Sequence, residues 1–187
     1  MADENKRDFP LVSMIVLLTV CTVSCSRFPY AGDGTFHDLG WNAHGPRYFI
    51  SFSPHILLDS EECVFRLGRL PCSRLTVGFL GRFQSSEEAE HMRKQRGNHS
   101  VVCLEIEDTT SGDVLVLKEG NLSEWNWGGL PPYRHDVFVS DDSSFEPKSG
   151  HEYLLRLRVL RGDPDGVPLL LMIRSPSQIA LSWRGCL

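Results

Sequence analysis

The chain has 187 residues, of which 41% are hydrophobic, and 19 Lys and Arg stand against 24 Asp and Glu for a formal charge of −5. That balance excludes a concentrated basic footprint and with it a nucleic-acid role. The one dense basic cluster, Arg93-Lys94-Gln95-Arg96, follows the acidic Glu87-Glu88-Ala89-Glu90 and reads as one end of a helix.

The first element is the apolar run Leu11 to Val23. As a helix it would rise about 20 Å, short of the roughly 30 Å hydrocarbon core of a bilayer, so it predicts a signal-peptide core over residues 1–24. Thr22-Val23-Ser24-Cys25 resembles the lipobox of bacterial lipoproteins, in which the leader is removed and the cysteine receives lipid. The resemblance covers residues 1–25. It implies a mature chain that begins at Cys25, a lipid anchor on that residue, and a place in the bacterial cell envelope facing the periplasm or the cell exterior. It also implies the membrane as the first partner, reached through the N-terminal lipid.

Residues 25–46 hold Pro29, Gly32, Gly34, Gly40, Gly45 and Pro46 without a sustained period, and predict a tether. From residue 47 to 187 the pattern is that of one domain. Tyr48, Ile50 and Phe52 alternate with their neighbours, as do Cys63, Phe65 and Leu67, and Leu75 to Phe83 keeps the same period of two. A helix near 86–96 interrupts the strands. Ser85 and Glu88 form a capping box, Arg93, Lys94 and Arg96 occupy the last turn, and Gly97 stands where a left-handed cap belongs.

Strands resume with Val102, Leu104 and Ile106, and Thr110-Ser111-Gly112-Asp113 marks a hairpin turn before Val114 to Lys118. Val137 to Val139, the alternating Tyr153 to Leu160, and the nearly continuous apolar run Val167 to Ile173 supply further strands. About eight strands joined by turn signals predict an all-β fold, mainly an antiparallel sandwich of immunoglobulin-like or transthyretin-like type with one short helix. The tail from Ser175 to Leu187 places Ile179, Leu181 and Trp183 at alternate positions and reads as a last edge strand or a free end.

With Cys25 set apart, Cys63, Cys72, Cys103 and Cys186 form an even set in an exported chain, with three pairings into disulfides. No close Cys/His spacing points to a metal, and no cofactor motif occurs. The seven histidines lie mostly beside turns. His37-Asp38 and His135-Asp136 send their side chains to opposite faces of a strand, so neither dipeptide is a catalytic dyad by itself. Arg161-Gly162-Asp163 has the spelling of an adhesion tripeptide at an expected hairpin tip, and also of an ordinary turn. Asn98-His99-Ser100 and Asn121-Leu122-Ser123 match the N-glycosylation acceptor pattern.

Trp125, Trp127 and Tyr133 are the binding candidates, lying in a stretch bounded by Gly128, Gly129, Pro131 and Pro132. Aromatic rings on exposed loops make good anchors for protein or sugar, whereas the same rings can plug the end of a sandwich. The expected function is a non-enzymatic, protein-binding or structural lipoprotein, such as a secretion-apparatus accessory or an immunity-type protein. Its expected partner is another envelope or secreted protein. The alternatives are an envelope hydrolase with a dispersed site, or a carbohydrate-binding module that uses the 125–133 aromatics.

Overall fold

The computed structural model describes residues 30–42, 45–53, 62–71, 73–130 and 133–175. The signal-peptide and lipobox residues, Cys72, Cys186 and the tail after Ser175 lie outside the described residues. Among the described residues are β1 (Ala31–Gly32), β2 (Thr35–Asn42), β3 (Gly45–Ser51), β4 (Glu62–Gly68) and β5 (Leu75–Arg82). Helix α1 (Ser86–Gln95) follows, then β6 (Val101–Asp108), β7 (Asp113–Asn121), a 3-10 turn at Leu122–Glu124, and β8 (Asn126–Leu130). The chain continues through β9 (Tyr133–Ser140), β10 (Ser144–Phe145), β11 (Glu152–Arg161) and β12 (Leu170–Arg174).

Two antiparallel sheets form a sandwich. Sheet A runs β1-β4-β11-β6-β7, and sheet B runs β2-β3-β12-β5-β9-β8 with β10 paired to β5. The inner faces follow from the period of two. Tyr153, Leu155, Leu157 and Val159 of β11 are buried while the residues between them are not, and they meet Leu104 and Ile106 of β6 with Tyr48, Ile50, Val77, Phe79, Leu171 and Ile173 from sheet B. Each large aliphatic side chain buried this way contributes about 1.5–3 kcal/mol.

β1 and β2 occupy residues expected to be a tether. Their signal was weak because Gly40 takes a left-handed conformation, with its N–H bonded to Asp38 Oδ1, in a stretch where pairing with β3 shifts register. Phe36 nevertheless stacks between Tyr30 and Tyr48 and ties β2 to the core.

The helix lies where its caps placed it. Ser85 Oγ accepts from Glu88 N at 3.1 Å, and Glu88 Oε2 accepts from Gln84 N at 2.8 Å, so the box closes one residue before the cap. The left-handed residue is Arg96 (φ 51°) rather than Gly97, whose carbonyl instead accepts from Val167 N at 2.9 Å. Ala89 turns the helix toward the inner core.

Candidate functional site

The aromatic segment is built inward. Trp125 and Trp127 are only 5% and 8% exposed and both belong to the core between the sheets. Trp127 Nε1 donates to Leu122 O at 2.8 Å, an anchor created by the 3-10 turn that Asn121 caps. Trp125 lies against β7, where a Cβ at Gly120 would come within 2.7 Å of its Nε1. These two rings therefore correct the expectation of surface anchors: they fill the sandwich, because burying a tryptophan next to the short β8 closes the sheet edge more favourably than exposing it. Tyr133 opens β9, and its side chain lies outside the described residues.

The histidines form three separate small contacts. His37 Nε2 and Ser51 Oγ are 3.1 Å apart, His135 Nδ1 and Ser86 Oγ are 3.3 Å apart, and His151 Nδ1 and Asp108 Oδ2 are 2.7 Å apart. Burial, and then the charge of Arg82, push the His37 imidazole below its ordinary range. Burial holds the Asp136 carboxyl up, against the opposing pull of Arg82 and His135. Asp108 is buried, which pushes its carboxyl up, but hydrogen bonds from His151, Ser111 and Thr110 outweigh burial and the net direction is down. No contact among the described residues joins a nucleophile, a base and an orienting carboxylate, so these pairs do not compose a triad. No group of three His, Cys, Asp or Glu side chains among them is placed to hold a metal.

The turn Arg161 to Gly166 is a connection between sheets rather than a hairpin tip, since β11 and β12 belong to different sheets. Asp163 is consumed by it: Oδ2 accepts from His99 N at 2.7 Å, Oδ1 from Asp165 N at 3.2 Å, and its N–H donates to Ser100 Oγ at 3.0 Å. The tripeptide spelling is turn chemistry. Asn98 is fully buried (0% exposed), with Nδ2 donating to Val167 O and Oδ1 accepting from Ser100 N, so the folded chain has no space for a glycan there.

Cys63 and Cys103 do not bridge. They lie on β4 and β6 with β11 between them, two strand spacings or about 10 Å apart, beyond disulfide reach. Cys63 shares a row with the inward Leu157, whereas Cys103 shares one with Arg158, whose Nη2 donates to its Sγ at 3.6 Å on the outer side.

The surface that stands out is the outer face of sheet A. Its cross-strand rows read Val64-Arg156-Glu105-Leu117, Arg66-Leu154-Glu107-Val114 and Glu62-Arg158-Cys103-Glu119. Among the described residues, four large hydrophobic side chains are exposed: Val64 (49%), Val114 (54%) and Leu117 (65%) in these rows, and Leu160 (46%), which follows the inward Val159 at the register shift of β11. At its centre Arg156 Nη1 bonds both Glu105 and Glu107, which cancels much of the charge and holds the guanidinium protonated, Glu107 most strongly. The face thus offers apolar patches around a locked ion cluster in which one arginine serves two glutamates.

Sheet A ends in β7, a nine-residue outer strand with Leu117 exposed. Its defence against indiscriminate pairing is a register shift near Val114 and the inward-parity Lys118, which reaches Asp141 across the sandwich at 3.4 Å. Single-sequence reasoning missed this face because a period of two shows which residues share a side, not which side is left open.

No family model matches the chain, and no curated protein sequence matches it.

Proposed function

We propose that this protein is a lipid-anchored lipoprotein of the bacterial cell envelope that binds another envelope or secreted protein, without catalysing a reaction, through the outer face of sheet A. The observation that carries the binding half is the collection of Val64, Val114, Leu117 and Leu160 on one side of one sheet. Exposed apolar residues scattered singly need no explanation, but four on one side of one sheet, set around a paired ion cluster, make the mixed apolar and polar surface that a non-obligate protein interface buries. The anchor half rests on Thr22-Val23-Ser24-Cys25.

The test is made in the envelope of a bacterial host. A photoreactive residue at Leu117 should yield specific protein adducts that the same residue at Glu87, on the exposed side of α1, does not. Intact mass of the membrane-extracted chain should correspond to a start at Cys25 plus lipid. Equal adducts at both positions would overturn the interface, and a mature mass without lipid would overturn the anchor.

A further inference from the structure

Of the strands that end the two sheets among the described residues, β7 alone is long, regular and open. β1 has two residues, β2 breaks register between Asp38 and Trp41, and β8 has five residues, shifts register at Gly129 and carries α1 beside it. Shortness, bulging and cover of this kind keep sheet edges from pairing. β7 has nine residues, and from Val116 to Asn121 it holds one unbroken register with β6. Leu117 is 65% exposed, and Lys118 and Glu119 are exposed beside it. No strand among the described residues pairs with its other side.

The direction of its free backbone groups follows from the ladder. Leu122 N donates to Ser100 O at 2.9 Å, which turns Leu122 toward β6 and, by the alternation of an antiparallel pair, turns Gly120, Lys118 and Val116 the same way. The N–H and C=O groups of Leu117 and Glu119 therefore point away from the sheet, where they form a template for another extended chain. Side chains set what that chain must carry. Leu117 and Glu119 both lie on the outer face, in rows with Glu105 and Cys103. Glu119 takes no part in the ion pairs among the described residues, and Glu105 and Glu107 share Arg156. Lys118, on the inner side, is committed to Asp141. The open edge is thus apolar at Leu117 and acidic at Glu119.

Resting on the reading that the outer face of sheet A binds a protein, we infer that the partner joins by strand addition. An extended segment of it pairs with β7 as the sixth strand of the five-stranded sheet A, with an apolar side chain opposite Leu117 and a lysine or arginine opposite Glu119. Alternation puts those two side chains two residues apart on the incoming strand, on one face. A second copy of this chain fits less well. Two β7 strands related by a two-fold axis at Lys118 set their ammonium groups opposite each other, and an axis at Leu117 sets Glu119 against Leu115, the extra residue of the bulge. Either pairing also brings two acidic edges together.

The test reads backbone amide exchange by NMR in the full chain. In the free protein the Leu117 and Glu119 amides should exchange about tenfold or more faster than those of Lys118 and Gly120. The probe is a synthetic peptide of about eight residues that alternates threonine on one face with valine and lysine on the other. Adding it should slow exchange at Leu117 and Glu119 several-fold, and a version with glutamate in place of lysine should not. Leu117→Pro removes an outward N–H and leaves the ladder to β6 intact, so it should abolish protection at Glu119, whereas Leu117→Ala should only weaken it. Slow exchange at both amides in the free, dilute chain would overturn the inference, because the edge would then be covered. So would no added protection, equal protection by both peptides, equal behaviour of the two variants, or protection that grows with the chain's own concentration. If the proline variant does not fold, the exchange pattern and the two peptides decide. Adducts at Leu117 in the envelope without edge protection by the peptide would refute strand addition alone and leave the face a docking site.

Discussion

Trp127 is the residue on which the middle of the chain turns. Its ring fills the core and its indole N–H satisfies the Leu122 carbonyl at the start of the 3-10 turn, so one side chain serves both packing and turn geometry. Trp127→Ala should lower the unfolding free energy by about 3–5 kcal/mol, from the lost contact and the cavity left behind. Equilibrium urea unfolding followed by far-UV circular dichroism measures this; a loss below about 1 kcal/mol would mean that the ring lies on the surface. Asn98 shows the same economy of position. A polar side chain at the centre of the junction between α1, β6 and the 161–167 connection is tolerated there because both ends of its amide are bonded.

Among the elements, α1 has its start and charge distribution written locally. Ser85 caps it, Glu87 and Glu88 lie in the first turn, Arg93 and Lys94 in the last, and Arg93 pairs with Glu90 one turn earlier. Ser85→Ala should cost about 1 kcal/mol, read as a lower thermal midpoint with an unchanged fold, while Ser85→Asp should retain the cap. Equal midpoints for all three proteins would show that the cap carries no net stability. β7 and β8 illustrate the opposite situation. They are consecutive in the chain, yet they end different sheets, and the 3-10 turn with its two buried tryptophans is what carries the chain across.

At the scale of the whole molecule, acid should unfold the protein partly through one buried pair. The Asp108 carboxyl is held down chiefly by His151, and it caps the β6–β7 turn through Thr110 and Ser111. A carboxyl whose folded value lies below its unfolded value of about 3.9 adds stability that is complete above that pH and disappears as pH falls through the folded value. Urea midpoints measured between pH 7 and pH 2 should therefore fall more steeply below about pH 4 for the native chain than for Asp108→Asn. Parallel acid limbs would assign the acid sensitivity to other carboxylates.

The amino-acid sequence alone determined the class of the fold, because a period of two is enforced residue by residue: β11 alternates buried and exposed side chains as its spelling says, and Ser85 with Glu88 marks the helix start. It also determined the turn Thr110 to Asp113, where Gly112 adopts the left-handed conformation that the hairpin needs. Tertiary structure alone decided the strands of residues 31–42, where glycines hide the period and pairing with β3 and β4 supplies the order. It decided that Trp125 and Trp127 face inward, since a ring beside glycines and prolines spells a surface loop and a plugged edge equally well. It decided, too, that the outer face of sheet A is exposed, and mixed apolar and ionic. Alternation assigns residues to faces, but only the packing of one sheet on another determines which face meets water.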